Sequence, residues 1–402
     1  MILSTRQFGF SYPVQVKYGC GLSKRIHEQA SQLKKRRVIV VSDRGIEKAG
    51  LLDPIVASLN RAAVRVSLFT GVESDPGGEL CDEVAALAGG NCEDLFFVAV
   101  GGGSVIDTVK AAVVTAAHGG NTLDYQRGGR EIVKSCPPYL AIPTTAGTGA
   151  EVSPYAVISD HSAQKKVVLA SPQLWPQYAL LDPELTLGLP RRVTAETGMD
   201  ALTNAIEAYT STDTDPFAQA IALKGAAMIG KWLRKAAAQP QNLEARSNML
   251  VASMLGGLSF DYAGLGAVHA CSHPLGAHFS LSHGLATALM LPAVMDFNRS
   301  ACPELYKDIA LALGADITGM DLFEAAGAAV RAVRNLIRDL EMPQSLRELG
   351  IPKGELPLLA RESMQERANL CTNPRVPDEA QMIAIFQRAY AGECRVNKGR
   401  EI

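Results

Sequence analysis

V-A-V-G-G-G-S-V-I-D-T-V-K, residues Val98 to Lys110, reads as a strand that passes into a helix across three glycines. Leu95 to Val100 is a short unbroken apolar run, the form of a parallel strand covered on both faces. Gly101 to Gly103 let the backbone come close to a ligand. Ser104 opens a helix whose free N–H groups and dipole favour phosphate. The segment is neither the G-x-G-x-x-G fingerprint nor a Walker loop, since no Gly-Lys-Ser/Thr follows. Its place between strand and helix points to phosphate binding; the alternative is an ordinary turn.

Upstream the strand form recurs at Arg36 to Asp43 and at Val64 to Phe69, with helical patterns between, as at Leu80 to Ala88. A short extended segment, Phe8 to Lys17, and a glycine turn at Gly19 to Gly21 come first. Strands alternating with helices imply a parallel sheet with crossover helices, so the first half is α/β. Asp43 stands where a carboxylate can accept from ribose hydroxyls and repel a 2′-phosphate, favouring NAD over NADP; otherwise it caps the next helix. Downstream, A-I-P-T-T-A-G-T-G-A-E (Ala141 to Glu151) brings the hydroxyls of Thr144, Thr145 and Thr148 to the same crevice at the strands' carboxyl ends.

After Asp182 to Leu185 and the turn at Gly188 to Pro190 the alternation stops. Helical periods follow at Ala195 to Tyr209, Pro216 to Ala237, Leu243 to Leu258, the histidine-rich stretch and Phe323 to Arg338. We expect a boundary near Pro190, with residues 1–190 forming an α/β dinucleotide-binding domain and 191–402 an all-helical metal- and substrate-binding domain. The chain from Gly392 onwards reads as a loosely held tail. No repeat of fixed period and no low-complexity tract is visible.

A chain of 402 residues with 47% hydrophobic and 20% charged residues is ordered and too long for a single core. A net charge of -2 offers nucleic acid no basic field. The one basic run, Lys34 to Arg37, precedes an apolar strand and reads as a solvated helix end. M-I-L-S-T-R-Q-F has no export-signal core, and no stretch reaches the ~18 to 20 apolar residues of a membrane span. Eight scattered cysteines without a C-x-x-C pair fit free thiols in the cytoplasm.

Four of the seven histidines, His269, His273, His278 and His283, fall within V-H-A-C-S-H-P-L-G-A-H-F-S-L-S-H-G. His269 and His273 lie one helical turn apart on one face, and His283 follows Pro274 and Gly276, which should limit the helix. Imidazoles crowded into an apolar segment suggest metal ligands rather than satisfied core histidines. Cys271, two positions from His269, points to another face. On the first helix of the second half, Asp200 and Asn204 are one turn apart among apolar residues. A carboxylate there needs a partner: a metal shared with His269 and His283, or a cap or arginine.

G-G-G-S-V-I-D-T, I-P-T-T-A-G-T-G-A-E, G-M-D-A-L-T-N-A-I-E-A-Y and A-V-H-A-C-S-H-P-L-G…S-H-G together resemble the iron-dependent (group III) alcohol dehydrogenases, from about Gly9 to Asn373–Arg375. Among them the chain looks closest to the lactaldehyde/propanediol and ethanolamine-utilisation types. The resemblance implies the dehydroquinate synthase-like architecture: a nucleotide-binding α/β domain, a helical domain, and a site in the cleft between them. It implies NAD(H) held near Asp43, Asp75, Gly102, Gly103, Ser104, Asp107, Thr144, Thr145, Thr148 and Lys166. It implies a divalent metal, iron more often than zinc, on Asp200, His269, His283 and the position of Asn204, where the family has a third histidine. His273 matches a non-ligand histidine beside nicotinamide and substrate.

Asn204 is a departure, because a neutral amide oxygen is a weaker donor than imidazole. The expected result is a weaker site still carrying three ligands; a changed metal preference or a mostly empty site are the alternatives. The implied activity is metal-assisted interconversion of a small primary alcohol and its aldehyde, His273 passing the proton, in a homo-oligomer. The rival expectations are a metal-independent reductase of the same fold and a non-catalytic nucleotide-binding assembly subunit.

Overall fold

The computed structural model describes residues 8, 9, 11–163 and 165–392. The first seven residues, read as lacking an export signal, and the chain after Gly392, read as a loose tail and containing Cys394, lie outside the described residues.

The sheet half runs β1 (Gln15–Tyr18), α1 (His27–Leu33), β2 (Arg37–Val41), α2 (Arg44–Lys48), α3 (Leu52–Arg61), β3 (Arg65–Phe69), α4 (Gly78–Ala86), β4 (Leu95–Gly101), α5 (Gly103–His118) and β5 (Tyr139–Pro143). It closes with β6 (Tyr155–Asp160), β7 (Lys165–Ala170) and β8 (Tyr178–Leu181). Six strands form one all-parallel sheet in the order β1-β8-β5-β4-β2-β3, while β6 and β7 make a separate antiparallel pair. The chain lays β1 first, at the far edge, fills one side of β4 with β2 and β3, and after β4 turns to the other side for β5 and β8, the last of which pairs with β1. Open sheets bind ligands at such a reversal, beyond the strands' carboxyl ends.

The apolar runs of β2 and β4 are continuous because both faces are covered. Ile39, Val41, Phe97 and Ala99 pack on one side with α4 and α5 residues, whereas Val38, Val40, Phe96, Val98 and Val100 pack on the other with Ile26, Ile55 and Leu59. β3 differs from the expected buried strand. It begins at Arg65, takes the sheet edge, and leaves Arg65, Ser67 and Leu68 exposed, since only β2 pairs with it. The β6–β7 hairpin has no counterpart in the strand pattern read from the sequence.

From Arg191 to Gly392 the described chain has no strand. α6 (Arg191–Thr210), α7 (Pro216–Ala238), α8 (Leu243–Ala263), α9 (Ala267–Phe279) and α10 (His283–Asn298) are followed by α11 (Pro303–Ala312), α12 (Leu322–Asp339), α13 (Leu356–Ser363), α14 (Arg367–Leu370) and α15 (Glu379–Ala391). They share one apolar core, with α6 packed on α7, α8 and α10. Pro274 and Gly276 do not end the histidine helix as expected: α9 runs through both to Phe279, where Ser280 turns at φ 52°. Proline costs α9 one backbone hydrogen bond, and the helix continues with Pro274 buried. Among the described residues no single helix is long and apolar enough to cross a membrane; α8 and α9 meet the combined demand of length and apolarity only when taken together, across a 109° bend.

Candidate metal centre and dinucleotide crevice

The glycine run stands at the carboxyl end of β4, beside the strand-order reversal. A Cβ on Gly102 would come within 3.2 Å of Thr145 Oγ1, and one on Gly103 within 2.8 Å of Thr148 Cγ2. The first loop therefore has room only for glycine against the threonine loop, and Thr144 N–H donates to Gly101 O at 3.0 Å, joining the two. The N-cap of α5 is Gly102, which brings no side chain to its first N–H groups, so Gly103 and Ser104 present open backbone donors of the kind that bind phosphate.

Other residues expected around the dinucleotide divide. Asp43 caps α2, its Oδ1 accepting from Gly45 and Ile46 N–H at 2.7 and 2.9 Å, so the helix-cap alternative holds for that oxygen. Lys166, on β7, donates to Asp75 Oδ1 at 2.7 Å and to Ser159 Oγ at 2.8 Å, bringing two expected residues into one ion pair. Asp107, on α5, is engaged by the protein itself. Its Oδ2 accepts from Val157 N–H at 3.0 Å, anchoring β6, and its Oδ1 is buried without a hydrogen bond, 3.6 Å from the fully buried Lys110 Nζ. Thr148 Oγ1 accepts from Ala150 N–H at 3.2 Å, shaping the turn after the loop.

Across from this crevice, α6, α9 and α10 bring Asp200, His269 and His283 together, with one ligand atom from each lying within 4.8 Å of the others. His283 Nε2 is 3.4 Å from Asp200 Oδ1, and His269 Nε2 is 4.0 Å from it. Ligands about 2.0–2.2 Å from a tetrahedral ion are themselves roughly 3.4 Å apart, so the spacing suits one cation. The fit does not rest on spacing alone. Asp200 Oδ1 is buried and has no hydrogen-bond partner, a costly state for a carboxylate unless something else meets it.

Burial pushes the Asp200 carboxyl up to about 6, against the pull of His269. Burial opposes charge on His269, yet Glu207 and Asp200 outweigh it and raise its pKa. His283 is held well below its ordinary value by loss of water and by the neighbouring His269 and His273. His269 Nδ1 lies 2.5 Å from Glu207 Oε2. The sequence reading missed this glutamate. It sits seven positions after Asp200, two turns on along the same face of α6, and that spacing was the available signal.

His273 is near the cluster without joining it, its ring centroid 6.2 Å from that of His283 and its Nδ1 3.2 Å from Glu366 Oε1. Glu366, on the turn before α14, was also missed, and no local pattern marks it. His278 pairs instead with Glu362 at 2.7 Å, outside the cluster. Cys271 is buried and turned to Met382 Sδ, as its spacing implied. Asn204 is buried, and its Nδ2 donates to Gly147 O at 3.3 Å, tying α6 to the threonine loop.

A glycine cradle at a parallel sheet's switch point, facing a helical half that gathers one carboxylate and two imidazoles, defines a metal-assisted, dinucleotide-linked oxidoreductase. The sequence profile of iron-containing alcohol dehydrogenase matches residues 13–183, and that of the C-terminal region of the Fe-containing alcohol dehydrogenase family matches 194–390. The chain is 36% identical to 1,3-propanediol dehydrogenase of Klebsiella pneumoniae, across 96% of this chain and 100% of that protein. It is 38% identical to choline dehydrogenase of Bacillus subtilis, across 95% and 94%. A solved sulfoacetaldehyde reductase from Bifidobacterium kashiwanohense, in complex with NAD+, superposes with a TM-score of 0.87 at 29% identity, covering 96% of this chain and 100% of that one. The chain belongs to the iron-containing alcohol dehydrogenase family, and it is an NAD-dependent enzyme that interconverts an alcohol and an aldehyde.

Proposed function

We propose that this enzyme handles a short primary alcohol and its aldehyde with NAD rather than NADP, on a divalent ion held by Asp200, His269 and His283, iron in preference to zinc. The orphaned Oδ1 of Asp200 facing two imidazole nitrogens is the observation that carries the metal reading. Bound there, the cation supplies Lewis acidity to the reacting oxygen, and the nicotinamide supplies or accepts the hydride. The chain's own part is to align and to move a proton. Gly102, Gly103 and Ser104 seat the pyrophosphate, Thr144, Thr145 and Thr148 wall the crevice, and Lys166 with Asp75 closes its β7 side.

Asp43 keeps a negative charge beside the ribose site, which opposes a 2′-phosphate, and Asp107 acts at one remove by holding β6. His273, whose Nδ1 lies 3.2 Å from Glu366 Oε1, exchanges the alcohol proton with solvent. Asn204 leaves the ion with three firm ligands and so with weak retention. The two halves act as domains meeting near Pro190. We place the enzyme in the cytoplasm, in keeping with its seven described free cysteines, and as a homo-oligomer.

Protein purified without chelator is expected to carry substoichiometric iron, to oxidise NADH with short aldehydes, and to stop in EDTA. Asn204→His is expected to slow metal loss roughly tenfold by restoring an imidazole. Undiminished turnover in EDTA would support the metal-independent reductase instead, and no NADH oxidation with any aldehyde the assembly subunit.

A further inference from the structure

We infer that Glu207 is a positioning residue that decides which nitrogen of His269 is free for the ion, an inference that rests on the metal reading above. α9 starts at Ala267 behind Gly266, which provides no side-chain cap. Its first donors are met from distant parts of the chain. Ala267 N–H donates to Asn373 Oδ1 at 3.1 Å, and Val268 N–H donates to Glu207 Oε1 at 2.6 Å. A Cβ on residue 266 would stand 2.8 Å from Glu207 Oε1 and 2.9 Å from Asn373 Oδ1, so the glycine makes space for both caps.

With Oε1 on the helix end, Oε2 meets His269 Nδ1 at 2.5 Å. Glu207 and His269 are both buried, so neither bond competes with water. An ionised carboxylate only accepts, hence the proton of this pair sits on Nδ1 and the lone pair of a neutral ring sits on Nε2. That Nε2 faces the orphaned Asp200 Oδ1 at 4.0 Å, beyond hydrogen-bond reach of it. One carboxylate therefore sets the start of α9, the plane of the His269 ring and its tautomer, an arrangement that raises ligand basicity in metal sites generally.

Glu207→Gln separates these roles. The amide oxygen can still accept from Val268 N–H, which turns the NH2 group to His269 Nδ1, makes that nitrogen an acceptor and moves the proton to Nε2. Chelator-stripped enzyme titrated anaerobically with Fe2+ against a competing indicator is expected to lose on the order of 10–100-fold in affinity in this variant. NADH affinity and apo-enzyme melting should stay near wild type, and Glu207→Asp should recover part of the loss. Unchanged Fe2+ affinity in Glu207→Gln, with affinity abolished in His269→Ala, would reduce Glu207 to a helix cap and overturn the inference while the metal site stands. Wild type that binds no Fe2+ would overturn both. Should the variant not fold, nitrogen-15 spectra of histidine-labelled wild-type apo-enzyme, taken at a pH where the His269 ring is neutral, decide: a proton on Nδ1 supports the assignment, and one on Nε2 overturns it.

Discussion

At the sheet end the surface proposed to face the ligand is backbone: Gly102 and Gly103 pressed against Thr145 and Thr148, with the N-terminus of α5 left without a side-chain cap. In the helical half it is side-chain lone pairs, drawn from three helices and held in place by Glu207 and the packing of α6, α9 and α10. A backbone site depends on what is missing, a Cβ, and is made by neighbours in sequence. A side-chain site depends on what converges. The two are expected to fail independently, and variants that cross over, losing both functions from one change, would break the contrast.

His283→Ala should have the largest effect. It removes a ligand from the N-terminal turn of α10, so turnover with a short aldehyde should fall by at least on the order of 10²–10³-fold, the scale on which a preorganised electrostatic centre is lost. NADH affinity, followed by the nicotinamide's fluorescence, should be unchanged. A parallel loss of NADH binding would mean that the cluster supports the crevice and that the two surfaces are one.

Gly103→Ala is the converse. The new methyl would lie 2.8 Å from Thr148 Cγ2 and 2.9 Å from its Oγ1, atoms of a short side chain with little room to yield. Overpacking of this kind costs about 1–3 kcal/mol, to be seen as weaker NADH binding with Fe2+ affinity intact. If NADH affinity holds, the dinucleotide does not lie on this loop.

The contrast also explains how much of the molecule is legible in its sequence. Val98 to Lys110 was legible because strand, glycines and helix are adjacent, and a doubly buried strand writes itself as an unbroken apolar run. The metal trio was legible because histidines are scarce, not because anything in Asp200 foretold two partners about seventy and eighty positions later. Glu207 was not legible in isolation: a glutamate among helical residues reads as surface until the neighbour across α9 is known. Glu366 comes from a turn that only tertiary packing brings to His273. β6 and β7 alternate buried with half-buried positions over only six residues each, too short a pattern to stand out between the threonine loop and the helical half, and β3 carries a strand pattern but not the fact that it lies at the edge. Pro274 was read by its local rule, which packing overrode.

Glu151 lies on the seam between the two surfaces, in the turn after the threonine loop, where Gly149 meets α8 so closely that a Cβ on it would be 2.4 Å from Gly257 Cα. Its Oε1 is buried without a hydrogen bond, and burial pushes the carboxyl from its ordinary 4.5 up to about 7, with Lys110 pulling the other way. Between those values the folded chain keeps a proton that the unfolded chain has released. Stability should therefore fall as pH rises through that window, the sign being set by the extra proton in the folded state. Glu151→Gln abolishes the titration but also removes a partner of Lys110, so the net gain above pH 7 should be small, on the order of 1 kcal/mol. Thermal melting of the metal-free enzyme should show the variant more stable than wild type at pH 8 and equal to it at pH 4. An equal shift at both values would mean that this carboxyl is not what titrates, and that the seam is held by the glycine contact alone.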